Sequence, residues 1–498
     1  MDGNKKVRKN LITGIVGLLV SIGLGILLPR LILTQYGSEI NGLLTSVTNI
    51  YAYIAIVEAG VAAASCQALY KSIADNDKDG INEILSATNV YYHRTGIVYF
   101  CLIIVFAVLY PTFVKSEIPY HVIFLVILFN GIGNVVNYFF HGKYLILLKA
   151  DGKNYIRTGL ETIINVLKQV SKIVLISMGF DVVFAQLAAM LVSILQMLMV
   201  VVYIKKYYSW IDLKATPNFS AISQRKYVLF HEINYLITAN VDTVVLTFVT
   251  NLKTVSVYSM YTMLYGMIGR VLKVVKDAVE FKLAFFFHKD RQEFLQLFEA
   301  YETYYVALAF SLFTIAGCFI SPFLRVYTRG VNDVNYLQPL LPGAFLLVHL
   351  LETMRYPYEA MIHISGHFKQ TKASAVIETG LNVLLSVIFG YRFGILGVLT
   401  ATIISFAYRA AYLAIYINKH ILGRDSTKIF CYWLVLLLVC FMIILLNNRL
   451  KIISSSYMNI FVLVVPFSVC IIIIFAIIAS IASPNSFRNL KKRVFRYE

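Results

Sequence analysis

Fourteen apolar runs, each close to the length a helix needs to cross a lipid bilayer, recur along this chain with short polar breaks between them. A hydrocarbon core of about 30 Å takes roughly 20 residues at about 1.5 Å each. The runs occupy residues 11–33, 40–66, 90–114, 120–148, 156–178, 182–204, 228–250 and 254–278. Three more lie at 298–320, 338–363 and 373–391, and the last three at 394–418, 428–447 and 458–482. Inside hydrocarbon no water can satisfy a backbone amide, so each run must close its own hydrogen bonds as a helix. The expectation is an all-α polytopic membrane protein with about fourteen transmembrane helices.

Charge supports that reading and orients the chain. Only 14% of the 498 residues are charged, against 59% hydrophobic, which is too little charge for a soluble surface. The 44 basic and 26 acidic residues leave a formal charge of +18. A nucleic-acid partner would want a concentrated basic patch on a soluble domain, and the sequence has none. Short basic loops beside an anionic leaflet explain the excess instead. With the N-terminus inside, Lys143, Lys149, Lys153, Lys205, Lys206, Arg225, Lys226, Arg488 and Lys491 all fall on the cytoplasmic side. Both termini are then cytoplasmic. The run Leu11–Leu33 after Lys5, Lys6, Arg8 and Lys9 is too long for a signal-peptide core, so it reads as the first crossing.

An internal repeat divides the chain. Glu161-Thr162-Ile163-Ile164-Asn165-Val166 and Glu378-Thr379-Gly380-Leu381-Asn382-Val383 stand 217 residues apart, at corresponding places in the fifth and eleventh runs. Repeats with an even number of crossings share orientation, so two six-helix lobes related by pseudo-two-fold symmetry are expected. The divisions are residues 1–205 for the first lobe, 206–227 for a cytoplasmic linker and 228–420 for the second lobe. Residues 421–498 supply helices thirteen and fourteen and a basic tail.

Polar residues inside the runs recur at helical spacing, which gathers them on single faces. One stripe is Arg157, Glu161, Asn165, Lys168 and Lys172; another is Asn130, Asn134, Asn137 and His141. A third is His231, Asn234, Thr238 and Asp242, and a fourth His349, Glu352, Tyr356, Glu359 and His363, with Arg355 beside it. Glu58 lies in the second run, and Arg270, Lys273 and Lys276 close the eighth. Such groups either pair with one another to hold helices together or face a wet cavity. So many charges point to a hydrated, partly cationic cavity. Arg157, Lys168, Lys172, Arg270, Arg355, Asn134, His141 and His349 are the candidate substrate contacts. Glu58, Asp242, Glu161 and Glu352 are the candidate sites for a coupling ion, H+ or Na+.

Other chemistries lack their signatures. No glycine-rich phosphate loop ends in Lys and Ser/Thr, and the six cysteines show no metal-ligand spacing. No cofactor and no metal are expected. A membrane polymerase would want a large outer loop, and every outer loop here is short, so an enzyme is not the expectation.

The run Thr34-Gln35-Tyr36-Gly37-Ser38-Glu39-Ile40-Asn41-Gly42-Leu43-Leu44, followed by Glu58-Ala59-Gly60-Val61, resembles the O-antigen and capsule repeat-unit flippases. These belong to the multidrug/oligosaccharidyl-lipid/polysaccharide exporter superfamily. Gly37 and Gly42 match that family's paired glycines, and Glu58 with Gly60 its glutamate-glycine pattern. The resemblance implies a bacterial cytoplasmic-membrane protein that moves undecaprenyl-pyrophosphate-linked oligosaccharides outward by alternating access. It also implies working company with polysaccharide polymerase and glycosyltransferases. Similar lipid II flippases carry arginines in the core of their first two helices, whereas here Arg30 sits near the outer end of the first and the second has none. A drug exporter of the same superfamily would centre on acidic residues such as Asp242 and Glu58.

Overall fold

The computed structural model describes residues 2–58, 61–222, 225–449 and 456–484. Its secondary structure is helical, with no strand among the described residues. The chain divides into two compact units, residues 1–256 and 257–498.

Unit 1 opens with α1 (Asp2–Ile54), two helices joined at a kink. Gly37 makes the kink at φ 83° and ψ −179°, a backbone conformation that a Cβ would strain. A 3₁₀ turn (Ala55–Glu58) ends the helix, and α2 (Val61–Ala74) and α3 (Lys78–Phe113) follow. Next come α4 (Tyr120–Val136), a π-helical turn (Asn137–His141) and α5 (Gly142–Ala150). The unit continues with α6 (Asn154–Ser177), α7 (Val182–Tyr207) and α8 (Arg225–Val249). One apolar core gathers Leu43 and Val47 of α1, Ile103 of α3, Val126 and Ile127 of α4, and Leu252. A second gathers Leu69, Leu85, Leu147, Leu148, Val200 and Ile222.

The glycine-rich motif finds its physical role in the first core. Gly42 packs directly against the carbonyl of Leu252, in the turn that follows α8, leaving no space for a Cβ. Around this contact Asn41 Nδ2 donates to Ser256 Oγ at 2.8 Å. Tyr110 and Thr247 hydroxyls both donate to Ser46 Oγ at 2.8 Å.

Unit 2 takes up α9 (Leu252–Lys289) after its first turn, then α10 (Arg291–Tyr327). The expected crossing at 338–363 is broken into α11 (Leu341–Met354) and α12 (Tyr356–Ser365). The break falls at Arg355 because Pro357, without an N–H, cannot continue a helix but suits the first turn of the next. α13 (Phe368–Ile417) carries two helices joined at Gly394, whose φ is 58°. α14 (Thr427–Arg449) and α15 (Tyr457–Ala482) then both pack on α10 and scarcely on each other. The α13–α14 connection is pinned by Arg424, whose guanidinium pairs with buried Glu302 and donates from Nε to Asn418 Oδ1 at 2.6 Å.

Large apolar side chains stand exposed along whole faces, including Leu191, Leu195, Leu198 and Val202 of α7 and Phe461, Val465 and Val469 of α15. In water such faces would aggregate; in hydrocarbon they are solvated, as a multi-pass membrane protein requires. By length and composition eight described stretches suffice to cross a membrane, fewer than the fourteen runs read from the sequence. Two of the eight, Leu19–Ile54 and Phe368–Leu422, each contain a glycine kink joining two helices. The polar stripe of α6 and the charges of α9 lower the hydropathy of others.

Candidate functional site

Inside unit 1 a cavity of about 480 Å³ opens where α4, α5 and α6 converge. It is lined by Asn134, Asn137, His141, Lys149, Arg157, Glu161, Lys168 and Gln196, with Cys66, Tyr92 and Leu145 among its less polar wall. Two stripes identified in the sequence thus meet: the amides and imidazole of the α4–π-turn segment face the charges of α6. The π turn is part of the reason. Its wider i→i+5 spacing, in which Gly142 N–H reaches the Asn137 carbonyl, reorients the helix at the cavity wall. Gly133 and Gly142 keep that wall thin, since a Cβ on either would meet Ser193 or Tyr92 within 3 Å.

Three cations face one carboxylate here. The Arg157 Nε–H donates to Glu161 Oε1 at 2.9 Å, one helical turn away, and the two side chains remain 35% and 39% exposed. Among the described residues the ammonium groups of Lys149 and Lys168 have no hydrogen-bond or ion-pair partner. His141 is 2% exposed, and its Nδ1 is buried without a hydrogen-bond partner. Asn134 Nδ2 donates to the Tyr99 hydroxyl at 3.3 Å. The site offers dispersed positive charge, one orphaned imidazole nitrogen and several amides. That set suits a polar anion.

The remaining candidates lie elsewhere. Lys172 points to α7 and donates to Gln186 Oε1 at 3.0 Å, so it joins helices rather than lining the cavity. Asp242 is buried in α8. Arg270 is exposed on α9, outside the cavity lining. The side chains of Glu58 and His231 lie outside the described residues.

In unit 2 the fourth stripe forms a closed charge network. Arg355 pairs with Glu359, Nε to Oε1 at 3.0 Å, and with Glu378; Arg409 Nε stands 3.4 Å from Glu378 Oε2 and also donates to Ser374. Arg355 lies over the Phe406 ring at 4.5 Å. His349 Nδ1 and Glu352 Oε2 are 3.1 Å apart, Tyr356 donates to Glu352 Oε1 at 2.9 Å, and His349 stacks with Tyr265 and Phe313. Arg355 and His349 are therefore engaged within the unit. Glu378 and Arg409 were not among the sequence candidates. The signal for Glu378 was present in the repeat, where it occupies the place of Glu161. The signal for Arg409 was also present: Thr402 and Ser405 precede it by seven and four residues on one helical face, and all three are buried.

The segment after α7 is tied to the rest of unit 1. The Tyr208 hydroxyl donates to Asp151 Oδ2 at 2.5 Å and accepts from Lys153 Nζ at 2.8 Å. Ser86 Oγ donates to the Leu213 carbonyl at 3.1 Å, and Asp212 N–H to Asn82 Oδ1 at 3.0 Å. Partial burial opposes the Lys153 charge, but Asp151 and Tyr208 outweigh it and hold that ammonium above the ordinary lysine value.

No family model matches the chain, and no curated protein matches it by sequence. Solved structures do match its fold. The chain is similar to the lipid II flippase MurJ in its inward closed conformation, with a TM-score of 0.71 over 96% of this chain and 99% of that one, at 13% identity. It is also similar to a multidrug resistance MATE family transporter of the MOP superfamily in an inward-facing conformation. That match has a TM-score of 0.61 at 16% identity over 80% of this chain and 95% of the other. A MOP superfamily transporter from Pyrococcus furiosus gives 0.56 at 15% identity over 82% and 94%. The fold is thus the all-α, two-lobe arrangement of multi-pass membrane transporters, and MurJ and MATE proteins are its structural neighbours.

Proposed function

We propose that this protein is a flippase that moves undecaprenyl-pyrophosphate-linked oligosaccharide repeat units across the bacterial cytoplasmic membrane for surface polysaccharide assembly. The observation that carries the reading is the unit 1 cavity, where Lys149, Arg157 and Lys168 face a single carboxylate. A pyrophosphate bearing sugars cannot enter hydrocarbon unaided, because each desolvated charge is costly there. A pocket of fixed cations replaces its water. Arg157 suits the bidentate recognition of phosphate oxygens, Lys168 acts as a point charge, and Asn134, Asn137 and Gln196 suit sugar hydroxyls. Exposure of this pocket to one leaflet at a time then moves the head group while the prenyl chain stays in lipid. An exporter of organic cations is disfavoured by the same lining, which would repel its cargo.

The test is deletion of the gene in its native host. The expected result is loss of surface polysaccharide with lipid-linked repeat units retained on the cytoplasmic leaflet. Normal surface polysaccharide overturns the proposal. Accumulation of lipid-linked peptidoglycan precursor instead would assign the chain to lipid II.

A further inference from the structure

Two features of the unit 1 cavity stand in tension. It holds the right groups for a phosphate, yet its best phosphate-binding group is already occupied. The Arg157 guanidinium spends its Nε–H on Glu161 at 2.9 Å, and that edge is one of the two on which an arginine takes phosphate in a forked pair. Neither side chain is sealed: 35% and 39% of each stays exposed at the cavity wall, so an incoming anion can reach the pair. The repeat-related carboxylate behaves differently. Glu378 is 9% exposed, clamped between Arg355 and Arg409, and has no surface on which to exchange partners. Meanwhile the ammonium of Lys168, two turns beyond Glu161 along α6, has no partner among the described residues, and the buried His141 Nδ1 likewise lacks one.

From this geometry we infer that Glu161 is a built-in competitor for the substrate's phosphate, holding Arg157 in the empty site and yielding it when an anionic head group enters. The inference rests on the reading of this cavity as the head-group site, and it adds a division of labour. Lys168 makes the first, uncontested contact with the anion. Arg157 joins only as Glu161 lets go. The exchange keeps binding from becoming too tight for a carrier that must release its cargo, because the carboxylate is always at hand to reclaim the guanidinium. It also removes the cost of an isolated arginine when the site is empty.

The experiment is a binding titration of inorganic pyrophosphate on the purified full-length protein in detergent, comparing wild type with Glu161→Gln. The amide keeps the shape but removes the competing charge, so pyrophosphate should bind about two- to fivefold more tightly, the size of one partly exposed ion pair. In an Arg157→Gln background the same change should give no gain, since nothing is left to release. Measurable wild-type binding with unchanged or weaker binding in Glu161→Gln overturns the inference and leaves the head-group reading intact. No pyrophosphate binding in either protein overturns both. If Glu161→Gln fails to fold, Glu161→Asp serves: its shorter carboxylate loosens the pair, and an affinity equal to wild type or lower counts against the competitor.

Discussion

Replacing Gly42 by Ala tests whether the glycine motif is a packing device. A Cβ at this position would run into the carbonyl of Leu252, a backbone atom held by the surrounding core rather than the flexible end of a side chain. Overpacking of this kind costs about 1–3 kcal/mol, and the upper half applies where backbone must move. Against that, Ala is favoured over Gly within a helix by roughly 0.5–1 kcal/mol. The net expectation is a loss of about 1–2.5 kcal/mol. For a unit the size of residues 1–256, each kcal/mol lowers Tm by about 2–4 °C, so unfolding in detergent should shift down by about 2–10 °C. The control sits in the first helix of α1, before the kink: a Cβ on Gly23 meets nothing within 4 Å, so Gly23→Ala should be neutral or slightly stabilising. Equal melting temperatures for the two variants would refute the packing argument. So would Gly42→Val being tolerated as well as Gly42→Ala.

Two further changes probe the charge networks. Glu378→Gln leaves Arg355 and Arg409 short of their shared carboxylate in a buried setting, which should cost about 3–5 kcal/mol and be read as lost folded yield by size-exclusion chromatography. A fully folded, wild-type-like Glu378→Gln protein would show that the pair is not sealed. Tyr208→Phe removes the hydroxyl between Asp151 and Lys153 and should loosen the segment after α7 by about 1 kcal/mol, seen as faster hydrogen exchange over residues 208–222 with Tm little changed.

The fold was legible because lipid imposes a simple rule on sequence. Apolar runs and helical periodicity locate nearly every helix, since in hydrocarbon no other local structure satisfies the backbone. The departures are places where backbone chemistry interrupts that rule: the kinks at Gly37 and Gly394, and the break before Pro357. The π turn at Asn137–His141 was not legible: Gly142 closes it, where a Cβ would crowd the Asn137 carbonyl, but a lone glycine in an apolar run does not announce a π turn. The cavity was half legible. Spacing put Asn134 and His141 on one stripe and Arg157, Glu161 and Lys168 on another, but no spacing says which stripes face each other.

That limit is clearest in the repeat. Glu161 and Glu378 open the same six-residue pattern, and both bind arginine, so sequence alone would give them one role. Their partners decide otherwise. Arg157 comes from the same helix four residues earlier, which leaves the pair on a face that the cavity can reach. The arginines of Glu378 come from two other segments, Arg355 between α11 and α12 and Arg409 from the second helix of α13, and three elements closing on one carboxylate exclude everything else. An ion pair within one helix can exchange; one tied between elements is part of their packing. On the function proposed above, the two matched positions differ: Glu161 holds an arginine that an anion can reach, and Glu378 holds two that are enclosed. This is why a pair of glutamates that look equivalent by letter makes opposite predictions under the same Glu→Gln change: tighter anion binding at Glu161, lost folding at Glu378.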